Sequence, residues 1–401
     1  MGKSLKGKEL GRGITQRSDG RYCARAVVNG IKITIYDTKL SQLRKDFEKE
    51  KAECLTGIKG SMVDITLNQW FDKFAEDYKK HNIKSQSYST IKNNYLPYRN
   101  TIGEKKISDI TSVNIMEVHN ARIKEGIKPD TIRKSFSVVK ELFESAMSNR
   151  IITFDPTIGI KIPKSKTNPK RRTFTLDEQK LFMDYVHQFS EFYENLYVFL
   201  LNTGLRIGEA GALKWSDINF EENCVLVNKT LLYYEKELDE LDSKGNPKKK
   251  RTLEISDTTK TPNGMRTVYF SSEISAILKN QRKRQLELRM KCGEKWRGTG
   301  EFENLVFTTS VGSPVGRYIA ERDMKRICKM INQFEDSEFE SASPHTFRRT
   351  YATRCFEADM QPKVVQALLG HANLAETMDI YTTVMEQKKM EEVKKKSVLQ
   401  L

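Results

Sequence analysis

Apolar positions divide the chain into a short alternating stretch and longer stretches with helical spacing. Residues 21–36 alternate on both sides of Asn29-Gly30, which favours a β-hairpin, and Gly11–Arg17 fits a further strand before it. Ser41 is in position to cap the helix that follows. The first 60 residues are therefore predicted to form a small three-stranded β-sheet and one helix.

Residues 62–160 have apolar residues at helical spacing throughout. Thr66–Gln69 is a capping box, and the helix that follows it has aromatic residues along one stripe. Further helices are predicted over Ser87–Asn100, from Thr111 and from Pro129, a residue that suits a first helical turn. This region is predicted to be all-helical, with its aromatic residues in the core.

Residues 173–401 combine helical and strand-like patterns. A capping box at Thr175 begins one helix, and Gly204 ends the next one, Glu191–Thr203. Further helices are predicted over Ser271–Lys291, Gly316–Gln333, His345–Ala358, Pro362–Leu369 and Glu376–Met385, and strands over Cys224–Tyr234, Arg251–Ser256 and Met265–Phe270. A lysine-rich insertion, Glu235–Lys250, is expected to interrupt the strands.

A basic segment separates the last two regions. Residues 161–172 read KIPKSKTNPKRR, with six basic residues, no acidic residue and two prolines that oppose a helix or strand. This segment is predicted to be a linker that follows a phosphate backbone, and a linker that is merely soluble is the alternative. The expected fold is multi-domain and mainly α, with domains at 1–60, 62–160 and 173–401, the last a mixed α+β domain with a C-terminal tail.

Charge indicates the class of partner. The net charge is +16 and the isoelectric point is about 9.3, which favours binding to a polyanion such as nucleic acid. Residues 1–36 hold eight Lys and Arg against two acids, whereas residues 41–54 hold four of each. Because a β-ribbon fits the DNA major groove, the basic sheet is predicted to bind DNA; a solvated basic sheet without a ligand is the alternative.

Other classes of protein receive little support. No apolar run approaches the roughly 18–20 residues of a membrane helix, and the N-terminus lacks the apolar core of a signal peptide. The six cysteines are scattered without a Cys-x-x-Cys pair, which favours reduced thiols over zinc or disulfides. A cytoplasmic protein without a membrane partner is therefore expected.

Candidate chemistry lies in three short clusters of the C-terminal region. Arg206 stands in TGLRIGE, just after a predicted helix end, and Glu209 can reach back to its guanidinium. His345 and Arg348, in HTFRR, stand one turn apart on one face of a predicted helix. The third cluster, LLGHA, places His371 after a helix-ending glycine, and a tyrosine follows ten residues later in DIYTT.

Together these clusters resemble the active site of tyrosine recombinases, the phage and conjugative-transposon integrases in particular. The pattern of that family is Arg, Lys, His-x-x-Arg, His or Trp, and then Tyr. The matching residues are Arg206, His345, Arg348, His371 and Tyr381. One departure from the family pattern is Arg349, which stands directly after Arg348 at a position where many members have histidine.

The family places its lysine on a β-hairpin turn. Lys260, in TKTPNG ahead of the strand MRTV, matches that turn. Rival lysines are Lys244 and those at 248–250, which belong to the insertion. The resemblance therefore implies Lys260 as the sixth catalytic residue.

The resemblance also implies the chemistry. Two guanidiniums hold the non-bridging oxygens of the phosphate under attack, with a bidentate geometry that lysine does not provide. Tyr381 attacks to give a 3′-phosphotyrosine, His345 accepts or relays its proton, His371 donates to the phosphate, and Lys260 protonates the leaving 5′-oxygen. No metal, nucleotide or other cofactor is expected, in keeping with the lack of a Walker-type motif.

The implied function is site-specific integration and excision of a mobile element, a prophage or a conjugative transposon. The expected partners are double-stranded DNA attachment sites and three further copies of the chain, which together form a tetramer on DNA. An accessory excision or DNA-bending protein is compatible with this assembly. Residues 1–60 then become an arm-binding domain and residues 62–160 a core-binding domain. The alternatives are a catalytically inactive DNA-binding regulator of the same fold, a type IB topoisomerase and a metal-dependent nuclease.

Overall fold

The computed structural model describes residues 2–28, 30–56, 65–163, 172–241, 247–257, 264–336 and 338–395. The chain divides into two compact units, Met1–Asn168 and Pro169–Leu401. Within the described ranges, no helix is both long enough and apolar enough to cross a membrane.

The first unit begins with a small sheet and one helix. Its elements are β1 (Gly2–Lys3), β2 (Glu9–Gly11), β3 (Ile14–Gln16), β4 (Tyr22–Val28), β5 (Ile31–Asp37) and α1 (Leu40–Thr56). Strands β3, β4 and β5 form an antiparallel sheet in that order. Ile14, Ala24 and Ile33 of this sheet pack with Leu43 and Phe47 of α1. The predicted three-stranded sheet with its helix is thus confirmed.

The predicted strand Gly11–Arg17 is wrong in its extent. Gly11 and Gly13 have φ angles of +102° and +81°, which break the strand into the separate pieces β2 and β3. A Cβ on Gly13 would lie 2.5 Å from the carbonyl oxygen of Arg25, so the close approach of β4 also requires glycine there. Asn29, half of the predicted hairpin turn, lies outside the described residues.

Residues 65–163 form a helical bundle. Its helices are α2 (Leu67–Phe74), α3 (Ser85–Arg99), α4 (Ser112–Lys124) and α5 (Pro129–Ser148). The Thr66 hydroxyl accepts from the Gln69 backbone N–H at 3.2 Å, which completes the predicted capping box. The sequence pattern predicts that α2 continues as an α-helix beyond Phe74, but Ala75–Lys79 is a π-helical turn. Trp70, Phe71, Tyr95 and other aromatic residues fill the core.

The second unit is mainly helical with two small sheets. Its helices are α6 (Leu176–Phe189), α7 (Glu191–Thr203), α8 (Ile207–Gly211), α9 (Ser272–Cys292), α10 (Arg317–Phe334), α11 (Pro344–Glu357), α12 (Pro362–Leu369) and α13 (Leu374–Lys395). Its strands are β6 (Ile218–Asn219), β7 (Cys224–Val227), β8 (Lys229–Leu241), β9 (Pro247–Asp257) and β10 (Arg266–Tyr269). One sheet has the order β10-β7-β6, and the other is the antiparallel pair β8-β9.

Three segments of this unit differ from expectation. The single strand predicted over Cys224–Tyr234 is in fact two strands, β7 and β8, which belong to different sheets. The lysine-rich insertion does not interrupt the strands, because its described residues extend β8 and β9 into a long two-stranded ribbon whose register places Glu235 opposite Arg251. Opposite charges across a strand pair stabilise such a ribbon. The last helix runs to Lys395, well beyond the predicted end at Met385. The expected mainly α fold with a mixed α+β C-terminal region is otherwise confirmed.

Candidate active site

The first predicted cluster begins where α7 ends. Gly204 has a left-handed φ of +64° and stops the helix, and a Cβ at this position would lie 2.4 Å from the ring of Tyr351. The chain then turns into α8 with Arg206 directly ahead of it. The Arg206 backbone N–H and its Nη1 each donate to the Glu209 carboxylate at 2.8 Å. Arg206 is thereby held by one carboxylate while 41% of its side chain stays exposed.

The second cluster lies in the first turns of α11. Pro344 occupies the first turn, and the Ser343 backbone N–H donates to the Thr346 hydroxyl at 3.1 Å, so the helix begins as predicted. His345 is exposed, whereas Arg348 is only 2% exposed. Arg348 donates from Nη1 to the Gly204 carbonyl at 3.0 Å, which joins the first cluster to the second.

The C-terminal end of α12 brings three arginines together. The carbonyl of Leu368 accepts from Arg266 Nε at 2.7 Å, and the next one, of Leu369, accepts from Arg348 Nη2 at 2.6 Å. The carbonyl of Gly370, which follows, is 3.5 Å from Arg206 Nη2. The last carbonyls of a helix have no partner within it and form the negative end of its dipole. Each of these three therefore binds a different guanidinium.

Arg266 is a residue of this site that the sequence analysis did not identify. It lies on β10, with a side chain 7% exposed, and donates from Nη1 and Nη2 to the two oxygens of Glu209 at 3.1 and 2.8 Å. Burial raises the pKa of Glu209, but the hydrogen bonds and charge of Arg266, with the charge of Arg206, outweigh it and bring the pKa to about 2. Glu209 is therefore ionised at neutral pH.

The two site histidines differ in exposure. His371 is buried directly after Gly370, and its Nδ1 lies 2.9 Å from the hydroxyl of the fully buried Thr377. Burial and the charges of Arg348 and Arg206 lower the pKa of His371 to about 3, so it is neutral at pH 7. Desolvation and the same two guanidiniums also lower the pKa of His345.

Tyr381 is the predicted residue that the described structure leaves apart from this cluster. Tyr381 lies on α13, half-buried, with its ring centroid 5.3 Å from that of Phe356 in an edge-to-face arrangement. Within the described ranges, no hydrogen bond or ion pair connects Tyr381 to either predicted arginine or to either site histidine. Lys260 lies outside the described residues, and β10 is the first strand after it.

Known proteins resemble this chain over most of its length. The model of the phage integrase family matches residues 172–388. A "Tyrosine recombinase XerC-like" protein of Caldanaerobacter subterraneus subsp. tengcongensis is 30% identical, covering 86% of this chain and 87% of its own. The transposase of transposon Tn916 from Enterococcus faecalis is 24% identical, covering 97% of this chain and 95% of its own.

Solved structures share the fold. The integrase of transposon Tn1549, in complex with transposon right end DNA, matches with a TM-score of 0.65 and 21% identity, covering 82% of this chain and 99% of its own. A lambda integrase tetramer bound to a Holliday junction matches with a TM-score of 0.55 and 19% identity, covering 93% and 95%. The family match and the 30% identical relative confirm the predicted resemblance. This chain belongs to the phage integrase family of tyrosine recombinases and is a site-specific DNA recombinase.

Proposed function

We propose that this recombinase cleaves and rejoins DNA with Tyr381 as the nucleophile and Arg206 and Arg348 as the phosphate clamp. The observation that carries the proposal is the run of carbonyls at residues 368–370, because it holds both guanidiniums beside His371. Each guanidinium has five N–H donors, and the hydrogen bonds found for these two use only some of them. The remaining donors suit the non-bridging oxygens of a phosphodiester.

In the proposed reaction the Tyr381 oxygen forms a bond to phosphorus while the bond to the 5′-oxygen breaks. His345 accepts the phenolic proton, and Lys260 gives a proton to the departing 5′-oxygen. His371, neutral at pH 7, donates a hydrogen bond to the phosphate. Rejoining is the reverse process with a 5′-hydroxyl of the partner strand as the attacking group. The phosphotyrosine conserves the energy of the phosphodiester, so neither metal nor nucleotide is required.

The position of Tyr381 adds a step to this proposal. Its ring packs on Phe356 in α11, two helical turns beyond Arg348, without a hydrogen bond to the arginine cluster among the described residues. We propose that binding of DNA moves α13 so that the phenol reaches the phosphate. The free protein is then inactive until it is assembled on its site.

The remaining regions are proposed to select and bridge DNA sites. Residues 1–60 form the arm-binding domain, residues 62–160 the core-binding domain, and residues 161–172 a linker along the phosphate backbone. The proposed assembly is a tetramer on double-stranded attachment sites, with an accessory excision or DNA-bending protein as a further partner. Support comes from the lambda integrase tetramer on a Holliday junction, which has the same fold.

The experiment is covalent trapping. The protein is incubated with a nicked duplex that carries its attachment site, so that the short cleaved fragment diffuses away and the adduct persists. A protein–DNA adduct that survives denaturation, formed without metal or nucleotide, is expected for the natural sequence. Tyr381→Phe should abolish the adduct and leave the dissociation constant for DNA nearly unchanged.

Tyr351→Phe is the matched control, since Tyr351 is a second tyrosine of the same unit, lies beside Gly204 and packs against the same apolar cluster as Tyr381. This variant should still form the adduct. An adduct with Tyr381→Phe, or its loss with Tyr351→Phe alone, would show that the nucleophile is assigned to the wrong residue.

A further inference from the structure

We infer that Arg266 is a positioning residue for strand cleavage: it neutralises Glu209, so that the charge of Arg206 stays available to the scissile phosphate. The inference rests on the proposed role of Arg206. It assigns a function to a buried arginine outside the proposed catalytic set, and it explains why a carboxylate lies beside the proposed phosphate site.

The geometry is that of a fully formed ion pair. Arg266 meets Glu209 with two parallel hydrogen bonds, at 3.1 and 2.8 Å, and both side chains are nearly inaccessible, at 7% and 4% exposure. Its Nε binds the Leu368 carbonyl at 2.7 Å, which fixes the plane of the guanidinium. Bidentate pairing of this kind gives both strength and a single orientation.

The charges explain why a second arginine is needed. Glu209 orients Arg206 through two hydrogen bonds, but a carboxylate paired with one guanidinium cancels its charge. Two guanidiniums share the single negative charge of Glu209, and the buried Arg348 adds a third positive charge nearby. The cluster thus keeps a net positive charge at Arg206 where an anionic phosphate would bind. Without Arg266, Glu209 would hold Arg206 and neutralise it as well.

Arg266 also ties three segments of the site together. It stands on β10, which pairs with β7 and follows the segment that contains Lys260. Its partners lie in α8 and at the end of α12, 57 and 102 residues away in sequence. A purely structural role would therefore be the competing explanation, and the experiment must separate packing from charge.

The test measures single-turnover cleavage at saturating protein with two nicked duplexes. One has an ordinary scissile phosphodiester, and the other has a methylphosphonate, which lacks the negative charge. Arg266→Met should slow cleavage of the phosphodiester by about 10²-fold, the scale of losing one electrostatic contact to a transition state. On the methylphosphonate the loss should shrink to less than about tenfold, because a neutral linkage depends less on the charge of Arg206.

Compensating variants separate charge from packing. Adding Glu209→Gln to Arg266→Met removes the carboxylate that would neutralise Arg206, and should recover at least about tenfold of the lost cleavage rate. Arg266→Lys keeps the charge and should stay within about tenfold of the natural protein. If Arg266→Met does not fold, the double variant, which leaves no unpaired carboxylate, and Arg266→Gln take its place.

Arg354→Met is the matched control, because Arg354 binds a carboxylate, that of Glu357, and a backbone carbonyl, that of Phe174, in the same unit. It should lower the melting temperature without changing the rate ratio between the two duplexes. Equal losses for Arg266→Met on both duplexes, or no recovery with Glu209→Gln, would overturn the inference. Failure of the natural protein to form any adduct would instead overturn the proposed function.

Discussion

The helical bundle of residues 65–163 and the arginine cluster of the second unit bury opposite kinds of side chain. The bundle encloses uncharged aromatic residues, among them Phe71, Tyr95 and Phe143, each at most 1% exposed. The arginine cluster encloses Arg348, Arg266 and Glu209, which carry charge. Removing apolar surface from water favours folding, whereas burying ions costs free energy that pairing only partly returns. The core of the bundle therefore stabilises the fold, whereas we propose that the cluster serves the reaction.

Buried histidines show the same contrast. His119 in the bundle has one evident task, a 2.7 Å hydrogen bond between its Nε2 and the Tyr98 hydroxyl. Burial, together with the charges of Arg348 and Arg206, lowers the pKa of His371 in the cluster, so this histidine stays neutral next to the proposed anion site. Substitutions in the bundle should change the free energy of unfolding, and substitutions in the cluster should change the cleavage rate.

The largest expected effect is on stability in the bundle. Phe143→Ala removes a fully buried ring and leaves a cavity, so the free energy of unfolding should fall by about 3–5 kcal/mol. Urea denaturation of the full chain, with amide exchange along α5 to locate the loss, measures it. A loss below about 1 kcal/mol would mean that the bundle does not depend on this core.

Arg348→Met should give the reverse result. Cleavage should fall by about 10²–10³-fold, because a proposed donor to the phosphate is lost. The melting temperature should change little, since relief of repulsion from Arg206 and Arg266 offsets the lost hydrogen bonds to two carbonyls. Single-turnover cleavage and a thermal melt of one preparation check both. A large fall in melting temperature with normal cleavage would show that Arg348 stabilises the fold and does not serve cleavage.

The two regions also differ in how far the sequence predicts them. Helices are local, so apolar spacing and end signals predict α7 with its stop at Gly204, and α11 with its start at Pro344, to within a residue. The π-helical turn at Ala75–Lys79 has no such signal, because its residues also fit an α-helix. The extension of α13 was missed because a charged segment without an apolar stripe gives no periodicity.

Site residues were predictable where a short motif contains them. The resemblance predicted five site residues, Arg206, His345, Arg348, His371 and Tyr381. Their roles in the reaction stay predictions. It did not identify Arg266 or Thr377 as site residues. Arg266 stands in MRTV, which was matched only as the strand after the Lys260 turn, and Thr377 stands in none of the matched motifs. The pairing of Arg266 with a residue 57 positions earlier depends on the fold, and no local pattern reports it.

Acid should destabilise the bundle through its buried histidine. Burial, with the charge of Arg122, lowers the pKa of His119 to about 4, below its ordinary value near 6.5. The unfolded chain then binds the proton first, so the fold loses stability as pH falls from about 6.5 to 4. His119→Gln should reduce the loss of unfolding free energy between pH 7 and pH 4.5 by about 2 kcal/mol. Equal acid sensitivity of the natural protein and His119→Gln would contradict the assigned cause.

The smallest expected effect concerns Thr377, the buried partner of His371. The Thr377 hydroxyl lies 2.9 Å from Nδ1 of His371. We propose that the hydroxyl donates to Nδ1, which places the ring proton of the neutral imidazole on Nε2, the nitrogen that then donates to a phosphate. Thr377→Val keeps the shape of this fully buried side chain and removes the hydroxyl. Cleavage should slow by about three- to tenfold, the scale of one hydrogen bond, at unchanged affinity for DNA.

Thr377→Ser restores the hydroxyl and should restore the rate, although it leaves a small cavity that lowers stability. This pair of variants separates the packing around His371 from the orientation of its imidazole. If packing around His371 governs cleavage, Thr377→Val should be the faster enzyme and Thr377→Ser the slower one. If the orientation of the imidazole governs it, the order is reversed, and the ring nitrogen shifts of His371 in NMR should show the proton leaving Nε2 in Thr377→Val alone.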